Sequence, residues 1–332
     1  MNSTVVTSMP DEAERPSVPG GRFQWLDVLK GILLIAMASY HSMWDLADAG
    51  YLDAAFPSTG LPRLYARAIA SSFLFISGFS LVLAHGNGIR WRSFGKRLAI
   101  IICAALLVTA ATYFAIPQGF IFFGILHEIA LASVVGLLFL RLPWPVTVLT
   151  AAIIIAAPNF LQPSEAFDPP WLWWVGLSTH THNSFDYVPV LPWLGVFLLG
   201  VAFGDIGAIK DRLRQNARGI RPITPWTAPF AFLGRHTLVF YLVHQPVLIS
   251  ILYVFSLVVP APQVTPEAQF IESCEMSCKP DRDENFCRRF CGCALERLQQ
   301  TKLLQPLQSG AISAANDARV EDIRIECTTL SQ

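Results

Sequence analysis

Long apolar stretches, separated by short polar ones, dominate the chain. About seven of them reach the roughly 17 to 25 residues that a helix needs to cross the hydrocarbon core of a bilayer. They cover residues 24–44, 65–85, 98–115, 119–140, 144–162, 190–206 and 236–259. Only the turn at residues 117–119 separates the third stretch from the fourth, which predicts a helical hairpin. The pattern predicts an all-α polytopic membrane protein with about seven or more transmembrane helices.

The composition agrees with that prediction. Of the 332 residues, 53% are hydrophobic and 14% are charged, whereas soluble domains contain about 25% charged residues. The formal net charge is zero, and the basic residues follow the topology of the chain instead of forming one continuous face. We therefore expect a lipid bilayer as the surroundings of the protein and no nucleic-acid partner.

The distribution of Lys and Arg predicts the orientation, because cytoplasmic loops carry the excess of basic residues. If the N-terminus is inside, the inner loops and helix ends receive Arg15, Arg22, Arg90, Arg92, Lys96, Arg97, Arg141, Lys210, Arg212, Arg214, Arg218, Arg221 and Arg235. Residues 1–22 are polar and are predicted to form a disordered cytoplasmic tail. An odd number of spans then places residues 261–332 outside the cytoplasm.

Six of the seven cysteines lie in this exported region, at Cys274, Cys278, Cys287, Cys291, Cys293 and Cys327. Thr265 is a suitable N-cap for one helix and Asp281 or Asp283 for a second one. Each C-x3-C pair then lies on one helical face, because residues i and i+4 share a face. The region is therefore expected to be a small extracytoplasmic helical domain.

An antiparallel hairpin of these two helices predicts the disulfide connectivity, although spacing alone leaves other pairings open. The predicted pairs are Cys274 with Cys291, Cys278 with Cys287, and Cys293 with Cys327. Disulfides form in oxidising compartments, which agrees with export of this region. A zinc site is the weaker alternative because such sites usually contain C-x2-C pairs, so no metal is expected.

The first apolar segment carries ionisable residues at both ends. Asp27 and Lys30 lie near its start, and His41 and Asp45 lie near its end. Lys30 and His41 are about three turns apart, so they share nearly the same face at roughly 16 Å separation along the axis. Ionisable residues within a span cost free energy and are functional candidates by default. Asp45 follows His41 by one turn and can orient its ring.

The later spans contain further histidines. His127 and Glu128 enter the fourth span from the outer side, at a depth comparable to that of His41, so these side chains can converge. His244 is expected in the inner third of the last span, away from that level. For each, the alternative is a structural hydrogen bond between helices, which is common in membrane proteins. That alternative is favoured for His244.

The long loop before the sixth span is the other polar region. His180 and His182 are expected to be solvated loop residues. Asp186 and Tyr187 directly precede a segment with two prolines, which indicates a rigid loop of defined shape. Asp186 and Tyr187 are therefore the candidates for binding a substrate on the outer side.

Five ordered segments resemble a known family. They read LDVLKGILLIAMASYH, SSFLFISGFSLVLA, FGILHEIALAS, FDYVPVLPWLGVFLLG and LGRHTLVFYLVHQPVLI. In this order they resemble bacterial relatives of heparan-α-glucosaminide N-acetyltransferase over residues 22–257. Lys30 and His41 are also similar to the basic-x10-His pattern of integral-membrane O-acyltransferases. The chain departs from the family at Lys30, where an arginine is usual, and in its cysteine-rich region.

The resemblance implies a bacterial inner-membrane acyltransferase, with residues 23–260 as its transmembrane domain. It implies transfer of an acetyl group from cytoplasmic acetyl-CoA to an extracytoplasmic acceptor, such as a glycan, glycolipid or amino sugar. His41 is then the expected general base or acyl carrier, with Asp45 holding its tautomer. His127 or Glu128 would protonate the departing thiolate. The phosphates of CoA would meet a basic inner mouth formed by Lys30, Arg90, Arg92, Arg97 and Arg235.

Two other classes of function fit parts of the sequence. A proton-coupled transporter or flippase would use His41, His127 and Glu128 as a proton relay, although such proteins often show two repeated halves and no repeat is evident. A membrane anchor would instead present the cysteine-rich region to a periplasmic protein partner.

Overall fold

The computed structural model describes residues 23–86, 88–180, 184–207, 224–261, 265–279, 282–308, 312 and 317–331. Every regular element within these ranges is a helix, as the apolar pattern predicts. The predicted tail at residues 1–22 lies outside the described residues. So do Lys210, Arg212, Arg214, Arg218, Arg221, His182 and Asp281.

The described part of the apolar region contains eight α-helices. They are α1 (Gln24–Asp48), α2 (Gly60–His85), α3 (Trp91–Ala115), α4 (Ile125–Phe139), α5 (Trp144–Phe160), α6 (Val190–Asp205), α7 (Ala228–Arg235) and α8 (Thr237–Val258). The helices of the cysteine-rich region are α9 (Pro266–Cys278), α10 (Glu284–Gln300), α11 (Leu304–Gln308) and α12 (Ala318–Leu330).

Four helices, α1, α2, α3 and α8, are long and apolar enough to cross a membrane. Helices α4, α5 and α6 are also apolar but contain only 15, 17 and 16 residues. Helix α4 is shorter than the apolar stretch that predicts it, because residues 117–119 form a 3-10 turn and the helix begins only at Ile125. Four of the predicted spans therefore meet the length criterion, and the other three stay a prediction.

Two further differences from the sequence prediction matter for the site. Helix α3 begins at Trp91, well before the apolar stretch at residues 98–115, so its basic first turns belong to the helix. The short helix α7 precedes the last span and was not predicted. Its composition mixes apolar residues with Pro and Gly, which gives a weak helical signal.

Helices α2 and α6 cross in close contact within the apolar region. A Cβ atom on Gly78 would overlap the carbonyl oxygen of Phe197, and one on Gly200 would overlap that of Phe75. Leu74, Phe197 and other buried side chains pack around this crossing. Each helix thus contributes one glycine that lets the two backbones touch, as is common between membrane helices.

The chain divides into two compact units. The first comprises Met1–Asp45 and Ala55–Leu252, and the second comprises Leu46–Ala54 and Tyr253–Gln332. The boundary near residue 260 that the sequence suggests stays a prediction.

Within the second unit, three disulfides join the helices. They link Cys274 to Cys291, Cys278 to Cys287, and Cys293 to Cys327, which is the connectivity that the antiparallel hairpin predicts. The Thr265 hydroxyl accepts the backbone N–H of Ala268 at the start of α9, and Asp283 accepts two N–H groups at the start of α10. Since small domains with limited cores commonly need cross-links, the disulfides are expected to hold this unit together.

Gly200→Ala should destabilise the first unit, because its methyl group has no room against the carbonyl of Phe75. Overpacking of this kind costs about 1 to 3 kcal/mol. The measurement is the thermal unfolding midpoint of the purified protein in detergent. Gly95→Ala in α3 is the matched control, since a Cβ there meets no atom within 4 Å. Equal midpoints for both variants would contradict this packing.

Candidate functional site

A cavity of about 540 Å³ lies among α1, α2, α3, α4, α7 and α8 of the first unit. Its volume falls in the range of small-molecule binding pockets, about 300 to 1,000 Å³. The lining residues include Asp27, Lys30, Met37, Phe73, Ser93, Lys96, Arg97, Leu126, Ile129, Arg235, Leu238 and Tyr241. The cavity is therefore built by helices that lie far apart in the sequence.

Four of the lining side chains are cations and one is a carboxylate. Lys30 lies in the second turn of α1, Lys96 and Arg97 in the second turn of α3, and Arg235 at the end of α7. The carboxylate is the buried side chain of Asp27, whose Oδ2 lies 4.0 Å from Arg235 Nε. This excess of positive charge within an apolar bundle favours an anionic ligand.

The position of Arg235 depends on close packing between α1 and α7. A Cβ atom on Gly31 would overlap the carbonyl oxygen of Phe230, and one on Gly234 would overlap that of Asp27. The two helices therefore touch backbone to backbone. This contact holds Arg235 beside Asp27 at the cavity wall.

The rest of the lining is mainly apolar. Met37 lies two turns beyond Lys30 on α1, about 10 Å along the axis, and Leu126, Ile129 and Leu238 line the same space. The cavity thus combines a cationic part with a hydrophobic part. Such a lining suits a ligand that is charged at one end and less polar at the other.

Tyr241 brings a polar group to this hydrophobic part. Its hydroxyl donates to Asp186 Oδ2 at 3.1 Å, and the same oxygen accepts the backbone N–H of Ile125 at 2.9 Å. Asp186 therefore caps the N-terminus of α4 and joins it to α8. Burial raises the pKa of Asp186, and the hydrogen bonds from Ile125 and Tyr241 oppose that rise.

His41 faces a second histidine from α8. The rings of His41 and His244 are 5.0 Å apart, edge to face. His41 follows the cavity-lining Met37 by one turn, and His244 follows the cavity-lining Tyr241 by three residues. The sequence placed these histidines at different depths, whereas the structure brings their rings together. His41 itself is next to the cavity lining and not part of it.

The other two polar residues at this contact also pair across α1 and α8. The amide Nε2 of Gln245 donates to Asp45 Oδ1 at 2.6 Å. Asp45 lies one turn beyond His41, and Gln245 is adjacent to His244. The predicted role of Asp45 as the group that orients His41 stays a prediction.

His127 is part of a chain of hydrogen bonds at the start of α4. Its Nδ1 accepts the backbone N–H of Gly124 at 3.2 Å, so Nε2 carries the proton of the neutral ring and lies 3.2 Å from Thr109 Oγ1. The Thr109 hydroxyl donates in turn to the carbonyl of Ile121 at 2.6 Å. Both ring nitrogens of His127 are thus occupied in fixing the turn between α3 and α4.

Glu128 is fully buried in α4. Neither of its carboxylate oxygens has a hydrogen-bond partner among the described residues. It is absent from the cavity lining, although Ile125, Leu126 and Ile129 around it line the cavity. Glu128 therefore makes no hydrogen bond to His41, and its predicted role stays a prediction.

The remaining predicted residues are distributed unevenly. Of the basic residues proposed from the sequence, Lys30, Arg97 and Arg235 line the cavity, whereas Arg90 and Arg92 are absent from its lining. Lys96 also lines the cavity but was not among the predicted phosphate-binding residues. Its position directly before Arg97 could have indicated it.

Tyr187 is tied into the loop before α6. Its hydroxyl donates to the carbonyl of Trp173 at 2.6 Å, and its ring lies 5.3 Å from that of Phe122. Burial raises the pKa of its phenol.

His180 lies in the same loop region, and its side chain is exposed. The carboxylate of nearby Asp168 accepts hydrogen bonds from Thr179 and Ser178, which hold this turn of the loop.

The described part of the chain is helical, and it contains membrane-length apolar helices, a cavity with four cationic side chains and a histidine pair beside it. These features define an integral membrane protein. Residues 22–246 match the family model described as heparan-alpha-glucosaminide N-acetyltransferase, catalytic. The chain belongs to this family, which is a family of transmembrane acetyltransferases. No curated protein and no solved structure matches the chain.

Asp186→Ala should destabilise the first unit by about 0.5 to 2 kcal/mol, the usual cost of losing an N-cap side chain. The variant leaves the N–H of Ile125 and the hydroxyl of Tyr241 without their acceptor. Chemical denaturation or thermal unfolding measures the effect. Ser184→Ala serves as the control, because among the described residues its hydroxyl makes a long, 3.4 Å hydrogen bond to a carbonyl of the same loop. A midpoint as high as that of the control would argue against the capping role.

Proposed function

We propose that this protein moves an acetyl group from cytoplasmic acetyl-CoA to an extracytoplasmic glycan, glycolipid or amino sugar. The membership in a transmembrane N-acetyltransferase family supports the reaction class. The observation that carries the proposal is the cavity. Its cations lie on three helices, and an apolar lining extends from them to Tyr241. Tyr241 is close in sequence to His244, whose ring pairs with that of His41.

The donor is proposed to bind with its phosphates at Lys30, Lys96, Arg97 and Arg235. Charge-assisted hydrogen bonds from ammonium and guanidinium groups to phosphate are among the stronger polar contacts in proteins. Lys30 offers a single point charge where relatives usually carry the two-pronged guanidinium, so the arginines on α3 and α7 take the larger share. The less polar pantetheine arm and the thioester then follow the apolar lining towards Tyr241.

His41 is proposed as the general base for transfer. The amine or hydroxyl of the acceptor attacks the thioester carbonyl while the His41 imidazole removes its proton. A C–N or C–O bond forms, the C–S bond breaks, and the proton returns to the thiolate, so that CoA leaves as a thiol. Transient attachment of the acetyl group to His41 is the variant of this scheme in which the imidazole acts as nucleophile.

The other candidate residues support this step in different ways. Asp45, held by Gln245, is proposed to stabilise the charge that develops on His41. Glu128 is the candidate for returning a proton to the thiolate, whereas His127 is proposed to fix the turn before α4. Asp186 and Tyr187 are proposed to shape the acceptor mouth by holding the loop before α6.

We propose a bacterial inner-membrane protein with a cytoplasmic N-terminus and a periplasmic cysteine-rich unit. The basic side chains at the starts of α1 and α3 and at the end of α7 agree with a cytoplasmic donor site. The three disulfides of the second unit agree with an oxidising compartment. The unit is also a candidate surface for a periplasmic protein partner.

Replacing both Lys96 and Arg97 by Gln should raise the KM for acetyl-CoA by about 10- to 100-fold, because each replacement removes a charged contact to phosphate. The value of kcat should change much less. Steady-state kinetics with purified protein and glucosamine as the acceptor probe measure both constants.

Arg92→Gln is the matched control for that variant. It removes a charge from the same helix, at a residue that is absent from the cavity lining. A KM that rises equally in the control and in the double variant would point to a general charge effect and contradict donor binding in this cavity.

His41→Ala should lower kcat by at least about 100-fold, the smaller end of what a general base contributes. Binding of acetyl-CoA should persist, because His41 is not part of the cavity lining. Calorimetry measures binding and labelled acetyl-CoA measures transfer. Ser42→Ala, which removes the hydrogen bond from the Ser42 hydroxyl to the carbonyl of Ala38 within α1, is the control. Transfer at the wild-type rate would remove His41 from the mechanism.

A further inference from the structure

We propose that His244 is a positioning residue that holds His41 in the tautomer needed for catalysis and stabilises it once protonated. The inference rests on the proposed function and deepens it. The sequence favours a structural role for His244, whereas the structure places its ring 5.0 Å from that of His41.

The hydrogen bonds of His244 determine which nitrogen is available. Its Nδ1 lies 2.7 Å from the carbonyl oxygen of Tyr241. A carbonyl only accepts hydrogen bonds, so Nδ1 must carry the proton. In the neutral ring, Nε2 then has a free lone pair and can only accept.

This acceptor is buried and has no hydrogen-bond partner among the described residues. Leaving a buried polar atom unpaired costs about 1 to 3 kcal/mol. Within the described part of the chain, the imidazole of His41 is the nearest titratable ring to that of His244, with the ring centroids 5.0 Å apart. The terminal torsion of histidine has a broad energy profile, so we propose that the His41 ring turns to bring its N–H towards Nε2 of His244.

The neighbouring pair shows that α1 and α8 are arranged for such contacts. Asp45 and Gln245 are already joined by a 2.6 Å hydrogen bond. His41 and Asp45 lie one turn apart on one face of α1, and His244 and Gln245 are adjacent on α8. Since an oxygen of Asp45 is held by Gln245, the structure offers His244 as the second group for fixing the ring of His41.

During transfer, the neutral His41 points one N–H at His244 Nε2 and its other nitrogen at the acceptor. That other nitrogen takes the proton as the bond between the acceptor and the acetyl carbon forms and the C–S bond breaks. The N–H bond to His244 then belongs to an imidazolium and becomes stronger. His244 neither gains nor loses a proton. Glu128, the proposed donor, protonates the thiolate, and the proton on His41 returns to Glu128.

The test compares His244→Leu with His244→Gln in full-length protein, using labelled acetyl-CoA and glucosamine as the acceptor probe. Leu keeps the bulk of the ring and removes the acceptor, whereas the Gln amide oxygen reaches a similar position. We expect kcat to fall about 10- to 100-fold in the Leu variant, with the KM for acetyl-CoA nearly unchanged. The Gln variant should recover most of the rate.

A second measurement separates positioning from a purely structural role. In a His41→Ala background, His244→Leu should cause no further loss of rate, because the interaction that it removes is already absent. Ser250→Ala is the control and should leave kcat unchanged. Ser250 is an exposed residue of α8, and its hydroxyl donates to the carbonyl of Pro246 in the same helix.

The outcomes separate the two proposals. If the wild type is active, two results would overturn the role of His244 alone. One is full activity in the Leu variant, and the other is an equal loss of activity in the Leu and Gln variants. A further loss in the His41→Ala background would do the same. A wild type that transfers no acetyl group would overturn the proposed function together with this inference.

Discussion

The constraint on which the structure depends is that polar groups inside an apolar helix bundle need partners from the protein itself. Most candidate residues obey it. His127 uses both ring nitrogens, Asp186 accepts two hydrogen bonds on one oxygen, and Tyr187 donates to a backbone carbonyl. The exceptions among the described residues include Nε2 of His244 and both oxygens of Glu128. Buried polar atoms without a hydrogen-bond partner lower the stability of the fold, so their presence indicates a functional role.

The same constraint explains which parts of the fold were predictable. Long apolar stretches have to become helices in a bilayer, since only helices and closed barrels satisfy their backbone there. The cysteine pairs followed from helical spacing and one antiparallel hairpin. The start of α4 did not follow, because the loop segment around Asp186 supplies the cap that defines it. Helix α7 was missed because its contact with α1 through Gly31 and Gly234 is a tertiary feature.

The site shows the corresponding limit. Lys30 and His41 are evident from the sequence, since ionisable residues within apolar segments are rare. Whether a basic residue near a span lines a cavity also depends on its position along the helix. Lys96 lines the cavity, whereas Arg92, one turn nearer the start of α3 on the same face, does not. The depth assigned to His244 assumed straight helices crossing one bilayer in register. The two rings lie 5.0 Å apart, which the sequence does not show because it does not reveal how far one helix is shifted along another.

The cations of the cavity also constrain the kind of ligand. They come from α1, α3 and α7, so no single helix supplies the binding surface. With a lysine on α1 instead of an arginine, that helix contributes one point charge and cannot form a two-pronged contact. Affinity then depends on several cations acting on one ligand, which favours a molecule with several phosphate groups over one with a single anionic group. The close backbone contact between α1 and α7 fixes the spacing of two of these charges in advance, and this lowers the entropy cost of binding.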